Sequence, residues 1–310
     1  MDILLIVFLA LIFDLVLGEP PRTIHPVVWM GKAASFLERG NIGKSSVAQF
    51  WYGSGIVLVT VGLFAVPAYF ALLYLKSFSF VAYVIVGAVL LKPTFSLREL
   101  RRAALGIKRL LLEDKLDEAR FELRSLVSRD TRGLPKPLLV SATVESVAEN
   151  TSDSFIAPLF YFLLLGVPGA IAYRVVNTLD AMVGYRGEYE YLGKFAGRLD
   201  DILNFIPARL TVLLLVLATF LSRRDGQKSW RVALREHAKT ESPNAGWPMA
   251  AVAGALNVQL EKVGCYKLGK VNAPLVPSTI DNSLKLAQIA MLVWVLICFT
   301  VGGVHFVLTT

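Results

Sequence analysis

The chain has 310 residues, of which 55% are hydrophobic and only 18% are charged, and its mean hydropathy is +0.57. This composition is typical of a polytopic membrane protein and excludes an ordinary soluble domain. The net charge is +8, and the basic residues fall in loops rather than in one patch. This distribution favours anionic membrane lipids and phosphate-bearing substrates as partners, and we expect no nucleic-acid binding.

Apolar runs along the chain predict an all-α fold, a polytopic α-helical membrane protein with extramembrane amphipathic helices. The whole chain, 1–310, is expected to form one membrane domain. Six predicted spans lie at about 1–17, 55–75, 78–91, 155–176, 206–221 and 286–308. The first only just reaches the minimum length for a span, and its Asp14 is either an interfacial residue or, slightly favoured, an intramembrane acid that faces a cavity.

Two long segments between the spans are polar. In 92–154, leucines recur at helical spacing between charges, which predicts a helical insert with two amphipathic helices. Residues 222–285 form the last large loop. If every apolar run spans, these two segments and 18–54 share one side of the membrane and hold 26 of the 32 basic residues. That side is predicted to be the cytoplasm.

The fourth apolar run contains Gly166-Val-Pro-Gly169 at its middle. This sequence permits either a kinked span or a re-entrant hairpin. A kinked span leaves 177–205 outside the cell. A hairpin brings that segment inside, but then moves the last basic loop outside unless 206–221 also fails to cross.

Acids and amides gather where polar segments meet apolar runs. Glu145, Glu149 and Asp153 follow one another at intervals of four residues and would share one helix face. Such a face is either solvated or a cation site, because three adjacent acids repel one another. Similar clusters hold Asn150, Asn177, Asp180, Asp200, Asp201 and Asn204. Oxygen ligands of this kind suit Mg²⁺, which is often shared with substrate phosphates.

Basic residues lie close to these clusters in sequence. Arg129, Arg132, Arg198 and Arg209 could pair with phosphate oxygens. The combination indicates a phosphate and metal site rather than scattered helix caps. A familiar nucleotide motif does not explain it, because Gly264 to Val271 matches GxxxxGK without the Ser or Thr that a P-loop requires.

Histidine and cysteine offer no comparable site. His25, His237 and His305 are the three histidines, and the two cysteines, Cys265 and Cys298, lie far apart. We therefore expect no disulfide framework and no His/Cys metal centre.

A set of short motifs in this order resembles the cobalamin-biosynthesis CobD/CbiB family. The motifs extend over almost the whole chain. They are Asp14-Leu-Val-Leu-Gly-Glu-Pro with His25-Pro26, Arg129-Asp-Thr, Glu149-Asn150 with Asp153 and Ala157-Pro-Leu-Phe160, Asn177-Thr-Leu-Asp180 with Gly184-Tyr185, Gly197-Arg-Leu-Asp-Asp201 with Pro207-Ala-Arg-Leu-Thr211, and Ser242-Pro-Asn-Ala-Gly-Trp-Pro248.

The resemblance implies a multi-pass cell-membrane enzyme, adenosylcobinamide-phosphate synthase. Such an enzyme is a carbon–nitrogen ligase. It joins aminopropanol or its O-phosphate to the free propionate carboxylate of adenosylcobyric acid, with ATP as co-substrate and Mg²⁺ as cofactor. Other corrin-pathway membrane enzymes are possible partners, and the active site is expected on the cytoplasmic side.

Roles for individual residues follow as hypotheses from the resemblance and from side-chain chemistry. Glu149, Asp153 and Asp180 are expected to hold magnesium; Asn150 and Asn177 to orient phosphates; Arg129, Arg132 and Arg198 to bind phosphate oxygens; His25 or Asp201 to act as the general base; and Ser242, Asn244 and Trp247 to contact the corrinoid.

Two other classes of function stay open at this point. Intramembrane acids and basic loops also occur in transporters, so a corrinoid or cobalt carrier is one alternative. A non-catalytic membrane sensor related to the family is the other. Amide formation by the purified protein would distinguish the enzyme from both.

Overall fold

The computed structural model describes residues 2–21, 23–38, 45–183 and 190–309. Most of them are helical, which confirms the all-α prediction. The helices are α1 (Asp2–Leu17), α2 (Pro26–Glu38), α3 (Ser46–Phe78), α4 (Phe80–Leu91), α5 (Arg98–Leu112), α6 (Leu116–Leu123), α7 (Lys136–Thr151), α8 (Ala157–Val183), α9 (Glu190–Leu221), α10 (Gly226–Glu236), α11 (Gly246–Leu256) and α12 (Pro277–Thr309). Short 3₁₀ turns occupy Lys92–Thr94 and His237–Lys239, and a π-helical turn occupies Ser152–Ile156.

Five helical stretches of the described chain are long and apolar enough to cross a membrane. They are Ser46–Phe78, Phe80–Leu112, Lys136–Met182, Glu190–Leu221 and Pro277–Leu308. Each contains most or all of one predicted span. The predicted first span corresponds to α1, which at 16 residues is shorter than these five. The chain thus has the helices of a multi-pass membrane protein.

The described chain divides into two compact units. The first comprises Met1–Ser96, Ala157–Leu203 and Cys298–Thr310, and the second comprises Leu97–Ile156 and Asn204–Ile297.

Close helix contacts in the first unit depend on glycine. A Cβ on Gly87 of α4 would lie 2.9 Å from Ile6 of α1, and a Cβ on Gly53 of α3 would lie 2.0 Å from the Leu192 carbonyl oxygen of α9. A side chain at position 53 would collide with the backbone of α9, so glycine permits this packing, whereas at position 87 the Ile6 side chain would have to move.

The fourth apolar run turns back on itself in the first unit. Gly166 has φ 68° and ψ −165°, which interrupts α8. The rings of Tyr161 and Tyr173, on either side of Gly166, stack with centroids 5.2 Å apart. A continuous helix would separate residues twelve positions apart by about 18 Å. The GVPG segment is therefore the turn of a helical hairpin, in agreement with the re-entrant alternative.

The second unit contains the extramembrane amphipathic helices that the leucine spacing predicted. In α5 the buried residues are Leu100, Ala104, Ile107 and Leu111, which lie on one face of the helix. The charged residues occupy the opposite face. In contrast, α7 is buried along most of its length.

A small β-hairpin in the second unit was not predicted. Strands β1 (Gln259–Lys262) and β2 (Tyr266–Gly269) pair antiparallel, with Gln259 opposite Gly269 and Lys262 opposite Tyr266. Gly264 occupies the turn with φ +74°. The GxxxxGK sequence thus forms a hairpin turn and a strand, whereas a P-loop leads from a strand into a helix.

Candidate functional site

An acidic opening interrupts an otherwise buried helical stretch in the second unit. From Ser141 to Ile156 every residue is buried except Glu149, Asn150 and Asp153. These are the three residues that the resemblance places in the metal and phosphate site. Their side chains are the polar groups of this stretch that a ligand can reach.

The helix widens at this opening. The π-helical turn at Ser152–Ile156 begins directly after α7 and contains Asp153. Turns of this kind often occur at functional sites, because the inserted residue re-aims neighbouring side chains. The Asn150 amide nitrogen donates to the Ser146 carbonyl oxygen at 2.9 Å, and its oxygen accepts from the Ser154 hydroxyl at 2.7 Å. These bonds span the start of the wide turn and fix the orientation of the Asn150 amide.

Glu145 lies apart from this opening, although helical spacing placed it on the same face. It is 4% exposed. Its Oε2 accepts from Arg129 Nη2 at 3.0 Å and from the Tyr266 hydroxyl at 2.8 Å, and its Oε1 accepts from the Ser141 hydroxyl at 2.6 Å. Glu145 is therefore the acceptor at the centre of a buried polar network, and the open acidic face consists of Glu149 and Asp153.

This network holds the β-hairpin against α7. The Ser141 oxygen accepts from the Glu261 backbone N–H at 2.8 Å, and Tyr266 reaches Glu145 from the second strand. Burial raises the pKa of Tyr266, and the nearby charge of Glu145 raises it further. Tyr266 therefore remains a hydroxyl donor to Glu145.

The three arginines predicted to bind phosphate occupy different environments. Arg129 pairs with Glu145, and its buried Nε has no hydrogen-bond partner among the described residues. Arg132 is exposed and pairs with Asp130 at 2.9 Å. Its hydrogen bonds hold the pKa of Asp130 at about 2. Arg198 is exposed on α9, in the first unit. Their binding of phosphate stays a prediction.

A second polar cluster joins α8 and α9 within the first unit. The Asn177 amide nitrogen donates to Asp200 Oδ1 at 3.2 Å, and the Asn177 oxygen accepts from Arg174 at 3.4 Å. A Cβ on Gly197 would lie 3.0 Å from Asp180 Oδ1, so glycine allows the Asp180 carboxylate to lie against α9. The structure thus brings together two sequence motifs, Asn177–Asp180 and Gly197–Asp201. Gly184 and Tyr185 lie outside the described residues.

The predicted magnesium ligands belong to both units, with Glu149 and Asp153 in the second and Asp180 in the first. Among the described residues, no three His, Cys, Asp or Glu side chains form a group that could hold a metal. The reachable carboxylates of Glu149 and Asp153 nevertheless fit Mg²⁺, because this ion is usually held by one or two carboxylates and completes its octahedron with water and substrate phosphates.

His25, one of the two predicted bases, is part of a charged network in the first unit. Its Nε2 lies 2.8 Å from Glu19 Oε2, and its Nδ1 accepts from the Val27 N–H at 3.2 Å. Glu19 also pairs with the buried Lys92 at 2.9 Å, and Lys92 lies 3.4 Å from the buried Asp14. Both nitrogens of His25 thus have partners, and to accept a substrate proton it must first give up one of them.

The Asp14–Lys92 pair also bears on the first predicted span. Asp14 is fully buried, which agrees with an acid that faces the protein interior rather than an exposed interfacial residue. No sequence motif assigned Lys92 a role. A buried lysine is expected to have an acidic partner, and the pairing could not be read from one sequence.

The SPNAGWP segment forms a polar and aromatic cluster in the second unit. The Ser242 oxygen accepts from the N–H groups of Asn244 and Ala245 at 3.2 and 3.3 Å, which orders the turn before α11. Asn244 Oδ1 accepts from Arg209 at 2.6 Å. The indole of Trp247 stacks on His237 with ring centroids 3.7 Å apart.

The surroundings of Trp247 limit how it can contact a corrinoid. His237 covers part of its ring, the Arg209 guanidinium carbon lies 5.0 Å from the ring centroid, and the buried indole nitrogen has no hydrogen-bond partner among the described residues. A substrate must therefore use the part of the indole that these neighbours leave uncovered. Arg209 was predicted only as a cation near the acidic clusters in sequence, and the stacking of His237 on Trp247 was not predicted.

Comparison with known proteins agrees with the motifs. The family model described as CobD/Cbib protein matches residues 7–296. The chain is 56% identical over 306 residues to “Cobalamin biosynthesis protein CobD” of Dehalococcoides mccartyi, covering 99% of each chain. It is 44% identical over 292 residues to “Probable cobalamin biosynthesis protein CobD” of Methanothermobacter thermautotrophicus, covering 94% of this chain and 95% of the relative.

A third relative, from Methanocaldococcus jannaschii, carries the same “Probable cobalamin biosynthesis protein CobD” name. It is 40% identical over 299 residues, covering 94% of this chain and 96% of its own. No solved structure gives a significant match. Since the family model and these relatives extend over nearly the whole chain, the protein belongs to the CobD/Cbib family of cobalamin biosynthesis proteins.

Proposed function

We propose that this chain is an adenosylcobinamide-phosphate synthase. It forms an amide between aminopropanol or its O-phosphate and the free propionate carboxylate of adenosylcobyric acid, and it consumes ATP. The CobD/Cbib family supports a role in cobalamin biosynthesis. The observation that carries the enzymatic assignment is the acidic opening, where Glu149, Asn150 and Asp153 are the three accessible residues of a buried helical stretch.

The chemistry requires two steps. A carboxylate is a poor electrophile, so one of its oxygens first attacks the γ-phosphorus of ATP, which releases ADP and leaves an acyl phosphate. The amine nitrogen then attacks the acyl carbon, phosphate leaves, and the nitrogen loses a proton to a base. The negative charge on the phosphates hinders the attack of the carboxylate in the first step, and the amine must be neutral to attack in the second.

Residues of the chain have separate tasks in this scheme. Glu149 and Asp153, with Asp180, would hold Mg²⁺. When bound, the ion would offset the charge of the ATP phosphates. Arg129, Arg132 and Arg198 would add positive charge, while Asn150 and Asn177 would orient phosphate oxygens. Asp201 or His25 would accept the proton of the amine.

The corrinoid would contact the SPNAGWP cluster. Ser242 and Asn244 can exchange hydrogen bonds with the amide groups on the corrin periphery, and the indole of Trp247 offers an apolar surface to the ring. We place this site on the cytoplasmic face, because ATP is cytoplasmic. With a hairpin at Gly166, this placement requires that residues 206–221 also fail to cross the membrane.

The decisive experiment is an amide-formation assay. Purified full-length protein is incubated in detergent with adenosylcobyric acid, aminopropanol phosphate, ATP and Mg²⁺, and the product is detected by mass. Wild type should form the amide and ADP in equal amounts. Glu149→Ala and Asp153→Ala should each lower the rate at least about a hundredfold, since they remove charge-stabilising groups from the phosphate site.

Glu122→Ala is the matched control, because Glu122 is an exposed carboxylate on α6 in the same unit. It should retain wild-type activity. All variants should remain inserted in the membrane and elute as wild type. Absence of amide with the wild-type protein would favour a transporter or a sensor, and near-normal turnover by both Glu149→Ala and Asp153→Ala would refute the metal role.

A further inference from the structure

The second unit contains a cavity that the sequence analysis did not identify. It has a volume of ≈ 300 Å³ and lies among α10, α11 and the end of the β-hairpin. Four of its lining residues are basic, namely Lys228, Arg231, Arg235 and Lys270. These residues come from two distant parts of the sequence, so the concentration of positive charge arises only on folding.

Acidic side chains neutralise little of the positive charge that lines this cavity. Its one acidic lining residue, Glu236, accepts the Gly269 N–H at 2.7 Å and pairs with Lys239 at 3.0 Å. Neither Arg235 nor Lys270 forms an ion pair with a described acidic residue, and both are exposed. Several like charges around a concave surface create a positive potential that attracts an anion.

Neutral groups fix one wall of the cavity. Asn257 ends α11 in the left-handed conformation with φ 60°. Its Oδ1 is contacted by Lys228 Nζ and accepts from the Asn272 amide nitrogen at 2.8 Å. Lys228 is thus held in place, and a second amide donor lies beside it. Arginine and lysine with amide donors suit phosphate oxygens.

The apolar side of α10 lies away from the cavity. Trp230 and Leu234 are 36% and 46% exposed, and helical geometry places them roughly opposite the cavity-lining positions. The cavity therefore lies on the charged side of α10, away from the side whose side chains suit contact with lipid. This arrangement favours a soluble ligand over a lipid head group.

We propose that this cavity binds the phosphate groups of a soluble phosphorylated compound, a phosphomonoester or a nucleotide polyphosphate. Lys228, Arg231, Arg235 and Lys270 supply the charge, and Asn272 supplies a neutral donor. None of these residues belongs to the predicted active site, and the inference does not rest on the amide-forming activity. It is tested by equilibrium binding, so that its failure and a failure of the proposed function are distinguishable.

The test measures pyrophosphate, inorganic phosphate and ATP binding to the full-length protein by calorimetry. The protein is kept in a maltoside detergent without phosphate, and each titration is run at low and high salt. Wild type should bind pyrophosphate more weakly as salt rises. Arg235→Ala and Lys270→Ala should each weaken binding about tenfold or more, because each removes a charged hydrogen-bond donor. Arg235→Lys retains the charge and should recover part of the loss.

The matched control is the double variant Arg101→Ala, Arg102→Ala. It removes two exposed positive charges from α5 in the same unit. It should bind pyrophosphate as wild type does. Equal weakening by the control, or wild-type affinity in the Arg235→Ala, Lys270→Ala double variant, would overturn the proposal.

A second arm distinguishes the source of the phosphate. The wild-type protein is placed in nanodiscs of phosphatidylcholine or of phosphatidylglycerol. Soluble pyrophosphate should bind in phosphatidylcholine discs. If the protein binds phosphatidylglycerol but not pyrophosphate, and the Arg235→Ala, Lys270→Ala variant loses this lipid binding, the cavity is a lipid head-group site. The assignment to a soluble ligand is then wrong.

Discussion

The stacked rings of Tyr161 and Tyr173, 5.2 Å apart, show that the chain reverses at Gly166. The same hairpin positions Tyr161 so that its hydroxyl donates to the Leu203 carbonyl oxygen of α9 at 2.9 Å. A straight helix would place the two rings more than three turns apart, at a separation of about 18 Å. The chain after Gly166 therefore runs back along the first part of α8.

The reversal at Gly166 predicts that the segments before and after the hairpin lie on the same side of the membrane. In a background with Cys265→Ser and Cys298→Ala, a cysteine in place of Glu190 should be labelled by a membrane-impermeant maleimide from the same side as a cysteine in place of Ser128. Both positions are exposed. The accessibility of the two cysteines is compared by labelling whole cells and inverted vesicles. Labelling from opposite sides would indicate a kinked span instead of a hairpin.

Gly166 should be sensitive to any side chain. Its φ of 68° with ψ −165° lies in a region that essentially only glycine occupies. Gly166→Ala should therefore cost about 1–3 kcal/mol and lower the apparent Tm in detergent. Gly62→Ala is the control, because a Cβ there would meet nothing within 4 Å. If the two variants melt alike, Gly166 is not strained in the native protein.

The buried carboxylate of Glu145 should contribute to folding rather than to catalysis. Glu145→Ala removes the carboxylate that pairs with Arg129, whose side chain is only 16% exposed. Loss of one partner of a buried pair costs about 3–5 kcal/mol, and the partial exposure of Arg129 places this one at the lower end. Tyr266→Phe removes one hydrogen bond to Glu145 and should cost about 1 kcal/mol.

Thermal unfolding of the purified variants should thus rank wild type above Tyr266→Phe and Tyr266→Phe above Glu145→Ala. Amide formation by folded Tyr266→Phe should stay near the wild-type rate at low temperature. A large loss of activity without loss of stability would instead place the network in the catalytic site.

Glu19 should make the first unit sensitive to acid. Burial raises its pKa, but the hydrogen bonds from His25, Lys92 and Ser96 and the charge of Lys92 outweigh burial and lower the pKa from 4.5 to about 2. The folded state thus favours the ionised form. The resulting stability is fully present above about pH 4.5 and is lost as the pH falls toward 2.

Comparison of wild type with Glu19→Gln tests this dependence. The apparent Tm of wild type should exceed that of the variant at pH 7, and the difference should shrink between pH 4.5 and 3. Glu122→Gln, which changes an exposed carboxylate, should show no comparable difference. If the difference in apparent Tm between wild type and Glu19→Gln stays constant with pH, the folded state does not stabilise the ionised form of Glu19.

Much of the fold could be predicted from local patterns. Apolar runs long enough to span the hydrocarbon core of a bilayer indicate membrane helices. Leucines at helical spacing predicted the amphipathic helix α5. The β-hairpin escaped prediction because its strands have four residues each, too few for a clear alternation of polar and apolar side chains. The Gly166-Val-Pro-Gly169 segment left two alternatives, since a kink and a turn require the same residues.

The candidate site was predictable in its residues but not in its pairings. Periodicity put Glu145, Glu149 and Asp153 on one face. Tyr266 is 121 positions from Glu145 in the chain. The hydrogen bonds that Tyr266 and Arg129 donate to Glu145 bury its carboxylate and separate it from the exposed pair, Glu149 and Asp153. Helical spacing determines which side chains point together, whereas burial and charge pairing depend on what packs against that side.

The sequence by itself determined the membrane character, the helical content and the family, because hydropathy, helix periodicity and short motifs are properties of contiguous residues. Only the tertiary structure decided that the chain reverses at Gly166, that Lys92 joins Asp14 and Glu19, and that Arg235 and Lys270 border one cavity. These features depend on contacts between residues far apart in the chain, and such contacts form only when the helices pack.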